Sequence, residues 1–444
     1  MSWFTTLPIL SPAVLAPVYS AAAVGVAVLA TRPARRLRRR WWTAVPVVAA
    51  AGAAIGGVVS WYVGDVQNAF GVPPTWVDRI WVSALGAGVG LVALNLALAP
   101  WWRKAVAVVA VAVFASAAFL AINRDGGEFQ NINQVLGHDT VAPLDASAVP
   151  PSPSGTSTEF DSSLYATWKA PADMPAKGSY GSVTIPGTVS GFPARQAIVY
   201  LPPAALVADA PALPVLMMLS GQPASPASVV GPGHLVETLD AFAAKNHGLA
   251  PIVVIPDQLA QPQNNPMCVD GPLGNSATYL TVDVIRYMTE HYHVASGPSA
   301  WGVGGFSQGG TCAIQLAAGR PDLFGSFIDV SGELGPSLGS RATTIAKGFK
   351  GDEAAYEAAQ PQALLAAHTP YAATTGFFAV GQNDAKYSKN MTANSEAARR
   401  AGIAVTTYVS PGTAHDWTTA TNGFAHGIGV LYPVLGLSAQ VQTP

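Results

Sequence analysis

The chain is 444 residues long, with room for more than one domain, and carries a formal net charge of −2. Hydrophobic residues make up 50% of it and charged residues only 11%, a balance that excludes an ordinary, purely soluble protein. A membrane part is therefore the first expectation.

Four apolar runs meet it in the first part of the chain, at 7–30, 44–63, 80–99 and 105–122. Each is close to the roughly 20 residues that carry a helix across a bilayer, and none holds an Asp, Glu, Lys or Arg. The flanks set a direction. Arg32, Arg35, Arg36, Arg38, Arg39 and Arg40 lie between the first two runs and "WWRK" between the last two, so the positive-inside rule keeps both loops cytoplasmic. The loop at 65–79 carries Asp65 and Asp78 against Arg79 alone. This puts the amino terminus outside and exports everything beyond residue 122. Trp41, Trp42, Trp61, Tyr62, Trp76, Trp81, Trp101 and Trp102 stand at the run ends, where amphipathic rings prefer the headgroup level. No basic segment precedes the first run, which speaks against a cleaved signal peptide. The arginine cluster has no aromatic interleaving and lies between apolar runs, so no nucleic-acid partner is expected. With only residues such as Ser60, Ser83, Ser116 and Asn95 polar inside the runs, the region reads as a membrane-embedded anchor and not as a transport pathway.

Residues 123–160 turn polar and then Pro/Ser/Thr-rich, as in "VAPLDASAVPPSPSGTSTEF", and read as an extended extracytoplasmic linker. The remainder, 161–444, is long enough for one well-buried α/β core. The two cysteines, Cys268 and Cys312, both fall there. An oxidising compartment favours a disulfide between them, the alternative being two buried thiols. No C-x-x-C or Cys/His cluster suggests a metal, and no cofactor is expected.

Strands are expected in "GSYGSVTIPG", "ARQAIVYLPP", "LPVLMMLSG", "APIVVIPD", "SAWGVGGFS", "GSFIDVSG", "TGFFAVGQND" and "AVTTYVSPG", the first two as an antiparallel pair. Between them "HLVETLDAFAAKNHG", "SATYLTVDVIRYMTEHY", "GTCAIQLAAGRP" and "KNMTANSEAARRAG" have helical spacing. Strands apolar throughout, without alternation, imply a sheet covered by helices on both faces. The expected architecture is a doubly wound, mostly parallel sheet.

Gly305-Phe306-Ser307-Gln308-Gly309 matches G-x-S-x-G at the junction of a strand and a helix, the place of a nucleophile elbow. Such a turn strains the serine backbone and leaves no room for side chains two residues to either side. A serine hydroxyl needs a base, and the base an orienting acid, in the chain order Ser, Asp or Glu, His. His415 in "SPGTAHDW" follows the last strand and is the favoured base; His368 and His426 read as structural. Asp384, at the end of "TGFFAVGQND", is the favoured acid and Asp329 the second choice. Asp416 is set aside because sequence neighbours point apart. The backbone amides of Gln222, in "SGQP", and Gln308 are the expected oxyanion donors.

"GFSQGGTCAIQLAAGRPDLFGSFIDVSGELGP", "NPMCVDGPLGNSATYLTVDV" and "GTAHDW" resemble the esterase D-type α/β-hydrolases of the actinobacterial cell envelope, relatives of the antigen 85 mycolyltransferases. The similarity covers most of residues 180–430, and the tethered multi-helix amino terminus resembles membrane-anchored members of that group. It implies an α/β-hydrolase fold and a serine acyl-enzyme, with Ser307, Asp384 and His415 on the triad positions and Gln222 and Gln308 at the oxyanion hole. It also implies that Trp417 lines the acyl site. Mycolyltransferases carry Glu where this chain has Asp384. The expected function is an outward-facing, membrane-anchored serine esterase or acyltransferase for acyl esters of the envelope, a lipid or glycolipid ester among them. A non-catalytic envelope scaffold keeping the hydrolase fold is the alternative.

Overall fold

The computed structural model describes residues 7–31, 38–67, 74–136, 141–145, 158–371 and 373–444. Arg32, Arg35 and Arg36 of the basic loop, and 137–140 and 146–157 of the expected linker, lie outside the described residues. The chain divides into two compact units, Met1–Asp139 and Thr140–Pro444.

The first unit is built on four helices, α1 Pro12–Ala30, α2 Arg38–Trp61, α3 Trp76–Leu98 and α4 Trp101–Gly126. All four are long and apolar enough to cross a membrane. Helix α4 runs past its apolar run at both ends and α2 and α3 begin before theirs, because backbone hydrogen bonding continues through polar and aromatic flanks, whereas α1 starts inside its run, at Pro12. Thr75 and Asp78 form a capping box that starts α3, and Gly127, at φ 71°, closes α4 in the left-handed conformation glycine tolerates. The helices α2 and α3 approach so closely that a Cβ on Gly52 would lie 2.2 Å from the Gly86 carbonyl oxygen.

Arg103, read from sequence as part of the short "WWRK" loop, lies in the first turn of α4. It is buried, and its guanidinium donates to the carbonyls of Leu29 at 3.2 Å and Thr31 at 2.9 Å and to that of Val28, while its Nε donates to Asn95 Oδ1 at 3.0 Å. The physical reason is that the last carbonyls of α1 have no partner inside their own helix. Asn95, read as a lone polar residue in a span, adds its Nδ2 to the Leu29 carbonyl at 2.9 Å.

The second unit carries one eight-stranded sheet. Its strands in chain order are β1 Ser179–Val183, β2 Ala197–Leu201, β3 Val215–Leu219, β4 Ile252–Ile255, β5 Trp301–Phe306, β6 Ser326–Val330, β7 Thr375–Gly381 and β8 Ala404–Ser410. All eight fall within the runs read from sequence. Across the sheet they lie in the order β8-β7-β6-β5-β3-β4-β2-β1, with β2 antiparallel to both neighbours and the rest parallel. Strands β2 to β6 are buried at every position, as parallel strands under two helical layers must be. The layers contain α5 Leu235–Lys245, α6 Val284–His291, α7 Gln308–Gly319, α8 Pro361–His368, α9 Ala385–Arg400 and α10 Trp417–Val434. Helix α10 packs on β6, β7 and β8 and on α5, whereas α7 packs on β5 and β6 and on α8, which in turn meets α9. This is the α/β-hydrolase arrangement, preceded by four helices of membrane-spanning length.

Two pieces of the stretch read as linker pair with the second unit. Thr158–Glu159 runs parallel to Ala295–Ser296, and Leu144 N donates to the Ser182 carbonyl on β1 at 3.0 Å. The first leaves β1 untouched, and the second occupies the edge of β1 at Ser182, whose N–H in turn donates to the Ala142 carbonyl at 2.8 Å.

Candidate active site

The turn between β5 and α7 holds Ser307 at φ 57° and ψ −116°, a conformation that L-residues adopt only under constraint. The constraint is visible. Ser307 N donates to the Val330 carbonyl at 2.8 Å, and the turn is pressed against the end of β3. A Cβ on Gly305 would lie 2.4 Å from the Gly309 carbonyl carbon, and one on Gly309 would lie 2.4 Å from the Leu219 oxygen. Both positions must be glycine for the serine to stand up from the sheet.

The other two groups come from the loops after β7 and β8, which are laced together. Gln382 N donates to the Ser410 carbonyl at 2.9 Å, Asn383 N to the Thr413 carbonyl at 2.8 Å, and Gly412 N to Gln382 Oε1 at 2.8 Å. Asp384 is the N-cap of α9: its Oδ1 accepts from Tyr387 N at 3.0 Å, which leaves Oδ2 free for the ring of His415. His415 Nδ1 lies 3.0 Å from that Oδ2, and His415 Nε2 lies 2.9 Å from Ser307 Oγ. With an ionised carboxylate on Nδ1, the hydrogen-bond network assigns the proton to Nδ1 and makes Nε2 the acceptor for the serine hydroxyl. Ser307, His415 and Asp384 therefore form one continuous hydrogen-bonded chain. Asp384 is 7% exposed, so little water competes for its carboxylate.

Aromatic rings hold the imidazole. Tyr387 stacks on His415 with centroids 4.0 Å apart, Phe306 lies 4.9 Å from it on the other strand end, and Trp417 packs on Phe306 at 5.4 Å. Trp417 is buried, the first residue of α10. Burial pushes the Tyr387 hydroxyl up, the charges of Glu333 and Asp384 add to this, and a hydrogen bond with Ser307 opposes it. Tyr387 was not legible as a site residue, although its position three residues after a capping Asp is the spacing that brings a backbone N–H to the carboxylate.

The second-choice acid and the residues set aside or read as structural lie elsewhere. Asp329 on β6 is buried and accepts from Gly332 N at 2.8 Å; burial raises its carboxyl to about 7 against that hydrogen bond. Asp416 caps α10, accepting from Ala414 N and Thr419 N at 2.7 Å each. His368 is exposed at the end of α8, and His426 stacks on Tyr408 at 3.8 Å.

Of the two expected oxyanion donors, Gln308 opens α7, where helix N–H groups and the helix dipole both favour negative charge. The Gln222 loop passes beside the nucleophile: a Cβ on Gly221 would lie 3.4 Å from Ser307 Cβ. Cys268 and Cys312 form a disulfide with Cα atoms 5.5 Å apart, joining the loop after β4 to α7. Among the described residues no group of His, Cys, Asp and Glu is placed to hold a metal ion.

An uncharacterized protein of Corynebacterium glutamicum is 36% identical over 239 residues, which is 52% of this chain and 56% of that protein. The chain thus spans little more than half the length of that curated relative. Among solved structures, an S-formylglutathione hydrolase from Agrobacterium tumefaciens is 18% identical with a TM-score of 0.49, covering 60% of this chain and 98% of that one. Mycobacterium tuberculosis MPT51 is 18% identical with a TM-score of 0.42, covering 58% and 98%. Residues 194–426, more than half of the chain, match the family described as putative esterase, and the chain belongs to that Esterase family.

Proposed function

We propose that this chain is a membrane-anchored serine esterase or acyltransferase whose catalytic unit faces outward and acts on acyl esters of the cell envelope. The reading rests on one observation above others, the unbroken hydrogen-bonded chain from Ser307 Oγ through His415 to Asp384 at a strained elbow. As Ser307 Oγ bonds to the ester carbonyl carbon, its proton passes to His415 Nε2, and Asp384 stabilises the imidazolium on the Nδ1 side. The carbonyl electron pair moves to oxygen, where the amides of Gln222 and Gln308 receive it. Collapse expels the alcohol, which takes the proton back from Nε2 and leaves an acyl-serine. Water or a sugar hydroxyl then resolves the acyl-enzyme by the same steps in reverse, with Trp417 lining the acyl side.

A fluorophosphonate probe tests the chemistry: the wild-type chain is expected to label and Ser307→Ala to stay unlabelled, and equal labelling of both would end the reading. Acyl donors offered with and without a sugar acceptor separate the two outcomes, free acid for an esterase and new ester for a transferase. For the orientation, an alkaline phosphatase fusion at residue 125 is expected to be active, and an inactive fusion would reverse it.

A further inference from the structure

The expected oxyanion donors sit on two elements that are far apart in sequence, the loop after β3 and the start of α7, and one buried side chain touches both. Gln258, in the loop that follows β4, is fully buried. Its Nε2 donates to the Ser220 carbonyl at 2.6 Å, two residues before Gln222, and to Gln308 Oε1 at 2.9 Å. Gln308 in turn donates from Nε2 to Asn265 Oδ1 at 3.0 Å, and the same Asn265 oxygen accepts from Met267 N at 2.9 Å. Backbone groups at the two ends of this row, an acceptor at Ser220 and a donor at Met267, fix the direction of all three amides, since none could be flipped without setting donor against donor or acceptor against acceptor.

The neighbouring residue completes the grip. Asp257, also fully buried, holds Arg195 through both carboxylate oxygens, at 2.8 and 3.0 Å, and Arg195 donates onward to the Ala224 carbonyl at 3.0 Å. The Gln222 loop is therefore held on one side of Gln222 by Gln258 and on the other by Asp257 through Arg195. Gln258 also leaves its own Oε1 without a protein partner among the described residues. A fully buried amide with an unpaired acceptor is a cost that better packing would avoid, and it points to a geometry kept for another reason.

We propose that Gln258 is the positioning residue of the oxyanion hole, a bridge that fixes the Gln222 and Gln308 amides relative to one another. This inference rests on the esterase reading above. Preorganised donors act because they need no rearrangement when charge develops, and a bridge between the two donor elements acts on the transition state more than on the bound ester. Removing it is expected to lower kcat while KM stays put.

The test uses the full chain in detergent with a p-nitrophenyl ester as substrate and a trifluoromethyl ketone as a tetrahedral-adduct inhibitor. Gln258→Met, which keeps the length and loses the hydrogen bonds, is expected to lower kcat about 100-fold, the cost of a misplacement on the order of 1 Å. KM should be unchanged and the ketone weakened in proportion. Gln308→Met cuts the bridge at its other end and is expected to give the same signature, which keeps the test decisive if Gln258→Met does not fold. The double variant should lose no more than either single one, because both remove one connection. Full kcat in a folded Gln258→Met or Gln308→Met variant, a loss carried by KM, or multiplying losses in the double variant would each overturn the bridge. If Ser307→Ala abolishes turnover and Gln258→Met does not change it, the bridge alone fails; if the wild type neither turns over the ester nor labels with a fluorophosphonate, the esterase reading fails and takes the bridge with it.

Discussion

At the scale of single residues, two buried aspartates show how environment divides roles. Asp384 has one carboxylate oxygen on the Tyr387 amide and the other on His415, whereas among the described residues Asp329 accepts from Gly332 N alone. Asp384→Asn is expected to lower kcat by about four orders of magnitude, since an amide there favours the wrong imidazole tautomer. Asp329→Asn should leave turnover near wild type, and steady-state kinetics on the two variants would separate the assignments; the reverse pattern would exchange them. Asp329 should instead govern stability. Its carboxyl is raised by burial from 3.8 to about 7, so across that interval the folded state holds a proton that the unfolded chain has released. Stability from this group is complete below the unfolded value and is lost as pH rises through the folded one. Glu333, raised by burial to about 7 with Lys386 opposing, adds a slope of the same sign. Thermal melts of the 140–444 fragment between pH 4 and 7 should therefore decline less steeply in Asp329→Asn than in wild type, and parallel curves would refute the linkage.

At the scale of elements, the elbow shows how tightly a strand, a turn and a helix are matched. A methyl on Gly309 would sit 2.4 Å from the Leu219 oxygen and 2.6 Å from that of Ser220, both backbone atoms that cannot swing aside. Gly309→Ala is expected to cost about 1–3 kcal/mol or more through overpacking, and because Ser220 belongs to the Gln222 loop, kcat should fall with it. Urea unfolding at wild-type midpoint would contradict the packing argument. The elements of this region were legible because each carried a local signal: strands apolar throughout, G-x-S-x-G between a strand and a helix, a histidine after the last strand. What stayed illegible lacked one. The helices Arg341–Gly348 and Glu353–Ala358 are only eight and six residues long, too short to repeat an apolar pattern that would reveal them. Gln258, Asn265 and Arg195 become neighbours of the site only through tertiary pairing, and an amide or guanidinium in a loop has no periodicity to reveal its partner. Likewise the sequence marks Arg103 as a charge but cannot show that the open carbonyls of α1 would draw it inward.

At the scale of the whole molecule, each unit has an apolar cluster of its own, one around Leu29, Leu91 and Phe114 and one spanning the eight-stranded sheet. Ser307, His415 and Asp384, both expected oxyanion donors and the proposed Gln258 bridge all belong to Thr140–Pro444. On the anchored reading, the helices of the first unit then contribute location and not chemistry, and the two contributions separate kinetically. For a short ester free in solution, the fragment 140–444 and the full chain should share the same kcat and KM, because every group that touches the reacting atoms is present in both. For a lipid ester held in vesicles, the reconstituted full chain should keep that kcat but reach it at a lower apparent KM, because tethering turns a bimolecular encounter into one governed by the local concentration at the surface. The advantage should vanish when the ester is moved to vesicles that lack the protein, since the effective concentration is a property of the shared bilayer. A fragment with reduced kcat on the soluble ester would instead mean that the helices shape the active site, and equal KM on the shared vesicles would mean that anchoring serves something other than access to the substrate.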